Sequence, residues 1–477
     1  MKILTVASEA TPFAKTGGLA DVLGSLPAAL AQRGAEVAVV LPLYRRSAVD
    51  LLAASTPVLD GLPVHFTQGR AVTISIRRLD HRGVTHYFVD CPEYFDRAGL
   101  YGDGGVDYPD NHLRFGALCR GAMAIIRSVF RPDVVHCHDW QASLIAAIIQ
   151  DRFRADPTFR RIPLLLTVHN LGYQGLFPRT AIEDLGLSPS LFRPDALEFH
   201  GRVNLLKGGL VFADAISTVS PTYAREIQTP EYGMGLDGLL RSRAHVLTGI
   251  VNGVDYAEWN PETDEHLPAH YSAADLSGKA ECKRALLQEG GLAQNAGRPL
   301  IGIVGRIVGQ KGFDLIDAAA DRLFTQHDVA MVALGTGEPV YQTAMASLAA
   351  RYPDRVHVRI AYDNGLAHRI EAGADLFLMP SRYEPCGLNQ IYSLRYGTVP
   401  VVRATGGLED TVDEDAGFRF HEYSPDALLV ALGRALSAYQ DTESWRNRVL
   451  TCMSRDWSWH ASADRYMDLF RQLTTPA

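Results

Sequence analysis

The chain has 477 residues, 47% of them hydrophobic and 21% charged, and a net charge of −8. This composition suits a soluble globular protein of two or three domains with large cores. The acidic balance and the lack of a dense lysine or arginine block argue against nucleic acid or an anionic membrane as the principal partner. The six cysteines are widely spaced and form no CxxC pair, which argues against a zinc site and a disulfide framework. Met1-Lys2-Ile3-Leu4 reads as a strand and not as a signal peptide, and no apolar run approaches the roughly 20 residues needed to cross a bilayer. A cytoplasmic location is the simplest expectation.

In chain order, continuous Val/Ile/Leu runs predict strands at Ile3 to Ala7, Val37 to Leu41, His86 to Asp90, Val134 to His138, Leu164 to His169 and Ile216 to Val219. Such runs fit strands buried on both faces of a parallel sheet. Val72 to Ile76 alternates and predicts an antiparallel strand with one wet face. Helices are expected between them at Val22 to Arg33, Leu113 to Phe130, Trp140 to Phe153 and Val203 to Phe212. A glycine-rich stretch follows Tyr232, then a strand at Val246 to Val251, and the domain boundary is placed there. A second α/β series runs from Leu300, with strands at Val329, Val356, Leu376 and Val399, and the tail from Ser424 is helix-compatible throughout. The pattern predicts two open, doubly wound α/β sheets with a cleft between them.

Candidate chemistry gathers at strand ends. Lys15-Thr16-Gly17-Gly18-Leu19-Ala20-Asp21 links the first strand to a helix. Exposed amides beside a helix dipole suit an anion such as phosphate, although a plain strand-to-helix turn has the same appearance. Val134 to Trp140 and Thr167-Val168-His169-Asn170 end strands with polar groups, among them Asp139 and His169. His136 and His138 are expected on opposite sides of their strand and lack zincin spacing, so no metal site is expected. Arg306 and Lys311 share a strand-to-helix loop, where a guanidinium fork and a point charge suit phosphate oxygens. Glu384 lies in a proline-bounded turn before Cys386-Gly387-Leu388, and amides at that helix start suit a second anion. Thr405-Gly406-Gly407-Leu408-Glu409-Asp410 echoes the first glycine loop. The chain contains no Walker loop, no GxGxxG in the first turn and no GxSxG elbow. These groups describe an enzyme for a phosphorylated or nucleotide-linked substrate.

Together, Lys15 to Val22, His138-Asp139-Trp140-Gln141, Thr167 to Asn170, Asn252-Gly253-Val254-Asp255, Gly305-Arg306 with Gln310-Lys311-Gly312, Glu384 to Leu388 and Thr405 to Leu408 resemble the bacterial glycogen synthase and plant starch synthase family, glycosyltransferase family 5. The resemblance runs in order over almost the whole chain. It implies the GT-B fold, with two Rossmann-like doubly wound domains facing across a deep cleft, and closure of that cleft over the donor. It divides the chain into an acceptor-side domain over 1–245, a donor domain over 246–456 and a segment over 457–477 that packs back on the first domain. It implies transfer of glucose from ADP-glucose to the non-reducing 4-OH of an α-1,4-glucan, with retention and without metal or other cofactor.

The resemblance also implies roles. Arg306 and Lys311 neutralise the leaving diphosphate, and Glu384 holds glucose hydroxyls. The amides of Cys386, Gly387 and Leu388 hold phosphate or sugar. His169 contacts the sugar, and Asp139 lies near the acceptor. Lys15, Gly17, Gly18 and Asp21 close over the donor, with Tyr101, Asn170, Asn252, Thr405, Gly406 and Gly407 completing the substrate site. The family's usual threonine after Glu-Pro-Cys-Gly-Leu is Asn389 here. Two rival readings remain: a related retaining GT-B transferase using UDP-glucose, and a catalytically dead glucan-binding protein.

Overall fold

A computed structural model describes residues 1–67 and 69–475. Pro476 and Ala477, the end of the expected C-terminal segment, lie outside the described residues. The chain divides into two units, each with its own sheet. The first comprises Met1–Val219, Ala224–Gly253 and the chain from Trp459; the second comprises Ser220–Tyr223 and Val254–Ser458.

The first unit has a nine-stranded sheet. Its strands are β1 (Lys2–Val6), β2 (Glu36–Pro42), β3 (Thr56–His65), β4 (Ala71–His81), β5 (Val84–Asp90), β6 (Val134–His138), β7 (Leu164–Val168), β8 (Ala215–Thr218) and β9 (Leu247–Gly249). They lie in the order β9-β8-β7-β6-β1-β2-β5-β4-β3. All neighbours from β9 to β5 are parallel, and apart from the short edge strand β9 their residues are mostly buried, as continuous apolar runs require. β4 is antiparallel to both neighbours and alternates exposed and buried residues, the predicted pattern. β3 was not predicted. It carries Pro57, Gly61 and Pro63, and two register irregularities, which only an edge strand tolerates.

The second unit has six parallel strands: β10 (Leu300–Val304), β11 (Ala330–Gly335), β12 (Val356–Ile360), β13 (Leu376–Met379), β14 (Val399–Arg403) and β15 (Phe418–Phe420). Their order is β12-β11-β10-β13-β14-β15. Both sheets therefore place their first strand centrally and wind outward in two directions. The crevice where the winding reverses lies beyond the carboxyl ends of β1 and β6 in one unit, and of β10 and β13 in the other.

Two helices complete the core of the first unit around its first strands. α1 (Gly18–Ala31) leaves the first glycine loop and buries Val22, Leu23, Leu26 and Leu30 in the core it forms with β2 and β5. α2 (Trp459–Thr474) packs on α1 and carries Trp459, Ala463, Tyr466 and Phe470 on one stripe at helical spacing. Each fully buried large apolar side chain contributes about 2 kcal/mol. Gly253 lets this return occur, because a β-carbon there would lie 2.6 Å from the Trp459 backbone.

β9 pairs with β8, so the first unit runs on to Gly253 and not to residue 245. The helix expected from Val203 begins at Leu205, because Arg202–Asn204 joins a small three-stranded sheet and Asn204 caps the helix by accepting from the Lys207 amide at 2.9 Å. Among the described residues, no helix is long and apolar enough to cross a membrane.

Candidate active site

In the first unit the site is built at the carboxyl ends of β1, β6 and β7. Glu9, three residues past the end of β1, is 3% exposed. Its carboxylate accepts from the Thr16 hydroxyl at 2.7 Å and the Gly17 amide at 3.3 Å, and makes two shorter bonds with the Thr16 amide and the Tyr101 hydroxyl. Lys15 pairs with Asp21, in the first turn of α1, at 2.6 Å. Burial raises the Asp21 carboxyl above its usual range, and Lys15 opposes that rise.

Asp139 follows β6 with a positive φ of 55°. Its Oδ1 accepts from the His169 amide at 2.7 Å, fixing the turn after β7. Desolvation pushes the Asp139 carboxyl up to about 7, against the backbone amides of His169 and Asn170 that favour the anion. The His169 ring shares a 2.8 Å hydrogen bond with His138, and burial lowers its pKa to about 3. His169 is therefore a neutral imidazole near pH 7, suited to hydrogen bonding and not to carrying charge. Asn170 accepts from the Gly172 amide at 2.9 Å. Asn252 is buried, and its side-chain oxygen has no hydrogen-bond partner among the described residues.

In the second unit the site lies past β10 and β13. Arg306 is exposed, with Gln310 3.3 Å from its guanidinium. Gly312 adopts the left-handed conformation, and a β-carbon there would meet the Pro380 carbonyl at 2.1 Å. That close approach brings Lys311 to Glu384, with Nζ 2.5 Å from Oε2. The Ser381 hydroxyl reaches the same oxygen at 3.0 Å, and the Glu384 side chain is 6% exposed. Gly387, also left-handed, precedes the short helix Asn389–Arg395. Gln390 donates to the carbonyls of Cys386 and Gly387 at 3.0 Å each and so fixes that turn. Among the described residues, no group of three or more His, Cys, Asp or Glu side chains is arranged to hold a metal ion.

Residues 2–242 match the family model described as starch synthase catalytic domain, and residues 288–449 match glycosyl transferases group 1. The chain is 51% identical to a glycogen synthase of Anaeromyxobacter dehalogenans, over 99% of this chain and all of that one. It is 46% identical to a glycogen synthase of Koribacter versatilis, over 99% and 98% of the two chains. The chain belongs to the glycogen and starch synthase family. Its structure is similar to the catalytic domain of starch synthase IV from Arabidopsis thaliana bound to ADP and acarbose, with a TM-score of 0.90, 34% identity and 99% coverage of both chains. The chain is thus a glycosyltransferase with the GT-B fold.

In this member of the glycogen and starch synthase family, several of the candidate groups are engaged within the chain. The first glycine loop does not leave all its amides to an outside anion, because Glu9 already takes those of Thr16 and Gly17. The Tyr101 hydroxyl, expected on sugar, is engaged by Glu9 and, at 2.8 Å, by Ser8. His136 and His138 do not face opposite sides: residues two apart share a strand face, and their rings lie 4.0 Å apart. Gly406 and Gly407 pack beneath the Glu384 turn, where β-carbons would meet the carbonyls of Glu384 at 1.9 Å and Cys386 at 2.1 Å. The Gly407 amide donates to the Glu384 carbonyl at 3.1 Å. Asn389 donates to the Val304 carbonyl at 2.7 Å, tying the end of β10 to the Glu384 turn. Glu9, Ser381 and Gln310 were not among the sequence candidates. For Glu9 the available signal was a lone acid three residues past the first buried strand.

Proposed function

We propose that this chain transfers glucose from ADP-glucose to the non-reducing 4-OH of an α-1,4-glucan, with retention of configuration. The observation that carries the reading is the Lys311–Glu384 pair beside exposed Arg306, at the winding reversal of the second sheet in a member of this family. Bond cleavage at the sugar C1 leaves negative charge on the diphosphate. Arg306 offers a planar fork to its oxygens, and Lys311 a point charge held in place by Glu384. Both described bonds to the Glu384 carboxylate fall on Oε2, so Oε1 is the oxygen available to a glucose hydroxyl. Neutral His169 suits a sugar hydroxyl, and the Asn252 side-chain oxygen, without a partner among the described residues, suits a donor group on the ligand. In the same reading, Lys15, Gly18, Asp21, Asp139, Asn170, Gly387, Leu388 and Thr405 line or support the substrate.

Retention by double displacement needs a carboxylate nucleophile. Glu9 and Asp139 both accept bonds from backbone amides, and Glu384 from Lys311, so each has a holding task. We therefore favour a same-face substitution. The C1–oxygen bond breaks with its electron pair going to the phosphate, the acceptor O4 bonds C1 from that face, and the O4 proton passes to the departing phosphate oxygen.

The test incubates the protein with glycogen and either ADP-glucose or UDP-glucose, and measures released nucleotide. ADP release with growth of α-linked chains, read by proton NMR, is expected. Preference for UDP-glucose would give the donor to the rival transferase, and no release from either would leave a glucan-binding protein. A trapped glucosyl–protein adduct would overturn the same-face step.

A further inference from the structure

A buried and fully satisfied carboxylate in the first unit is one that the proposed chemistry does not use. Glu9 receives four donors: the Thr16 amide, the Thr16 hydroxyl, the Gly17 amide and the Tyr101 hydroxyl. A carboxylate offers about four lone-pair sites, so this one is filled within the chain. Its partners are themselves held. The Tyr101 carbonyl accepts from Asn111 Nδ2 at 2.8 Å. Asn111 Oδ1 accepts from Arg114 at 2.6 Å, and fully buried Arg114 also donates to the carbonyls of Leu100 at 2.9 Å and Tyr94 at 2.7 Å. On the other side, Tyr44 donates to the Ser8 carbonyl at 2.9 Å. The carboxylate is clamped beyond the end of β1, and the glycine loop is folded onto it.

We infer that Glu9 is a positioning residue: an internal anion that holds the Lys15–Asp21 loop in its donor-binding shape before the donor arrives. The inference rests on the proposed donor role of that loop. Adjacent amides of a loop entering a helix attract negative charge. Here Glu9 supplies it, which fixes the amides of Thr16 and Gly17 and leaves Lys15 and the start of α1 beyond them for the ligand. Ordering the loop in advance removes an entropy cost from donor binding, so loss of Glu9 weakens donor affinity more than turnover. Tyr101 acts through Glu9 and not by touching sugar.

The test compares wild type with Glu9→Gln and Tyr101→Phe. Glu9→Gln keeps the size of the side chain and removes its charge; Tyr101→Phe removes one donor. Expected are a rise in KM for ADP-glucose of about tenfold for Glu9→Gln and about threefold for Tyr101→Phe. The KM for glycogen and kcat stay within about threefold of wild type, as a role confined to binding requires. Without any substrate, hydrogen exchange at the Thr16 and Gly17 amides becomes faster in Glu9→Gln. Unchanged exchange, unchanged donor KM, or a loss confined to kcat or to the glycogen KM would each overturn the positioning role. An inactive wild type would instead overturn the proposed function and leave the exchange result to decide on Glu9.

Discussion

Lys311 Nζ lies 2.5 Å from Glu384 Oε2, the oxygen that Ser381 also reaches. One cation and one hydroxyl thus fix the carboxylate from one side. Glu384→Gln removes the charge and retains the shape. Breaking a buried ion pair by removing one partner costs about 3–5 kcal/mol, but Lys311 retains 23% exposure, so water replaces much of the loss and about 1–2 kcal/mol is expected. Turnover should fall about a hundredfold or more, because the lost carboxylate positions Lys311, which meets the charge developing on the diphosphate. Thermal melting and steady-state kinetics on one preparation check this. Near-wild-type kcat would remove Glu384 from the site.

Lys15→Ala separates stability from function in the first unit. Its pair with Asp21 is partly exposed, so the stability change should stay under about 1 kcal/mol. The KM for ADP-glucose should rise about tenfold with the KM for glycogen unchanged. A change confined to glycogen would place Lys15 on the acceptor.

The two glycine loops, alike in sequence, should respond differently to alanine. A β-carbon at Gly406, where φ is 47°, would meet the Glu384 carbonyl at 1.9 Å. Gly406→Ala should destabilise by at least about 2 kcal/mol and displace the Glu384 turn, lowering kcat. At Gly17, where φ is −158°, nothing lies within 4 Å of the added carbon. Gly17→Ala should be neutral or stabilise by up to about 1 kcal/mol. Equal melting temperatures for the two variants would contradict the packing role of Gly406.

Asp139 and the buried histidines should oppose each other in the pH dependence of stability. The Asp139 carboxyl is raised to about 7, so between its ordinary pKa of 3.8 and 7 the folded state holds a proton that the unfolded state has released. Stability from this group is present at low pH and falls as pH rises through that window. His169, lowered to about 3, has the reverse effect: from the ordinary 6.5 downward the unfolded state gains a proton that the fold refuses, and stability falls with acid. Asp139→Asn retains an acceptor for the His169 amide and removes the Asp139 contribution. Its melting temperature, relative to wild type, should climb steadily from pH 4 to pH 7. Parallel curves for the two proteins would show that Asp139 titrates normally.

The parallel strands were legible because burial on both faces writes them as continuous apolar runs. β6 matches its predicted bounds, and β10, β12, β13 and β14 begin at their predicted residues. β3 was hidden by its prolines and glycine, which an edge strand accepts. Within the candidate site, Arg306, Lys311 and Glu384 could be named because each sits at a strand end beside turn residues. Their pairing could not, since Lys311 and Glu384 meet only after β10 and β13 become neighbours. Glu9 was missed for the same reason, because Tyr101 reaches it across a separation of 92 residues. His136 and His138 differ from the expectation for another reason: residues two apart in a strand point to the same face.

The packing of α2 on α1 sets an order on biosynthesis. The helix Trp459–Thr474 emerges from the ribosome only after the whole of Val254–Ser458, yet its buried stripe completes the core of the first unit. During translation, the apolar surface that receives Tyr466 and Phe470 stays uncovered while the second unit is being made. A fragment ending at Gly253 keeps that surface exposed for good and is an aggregation hazard. Joining 459–475 to 1–253 through a flexible linker supplies the missing helix.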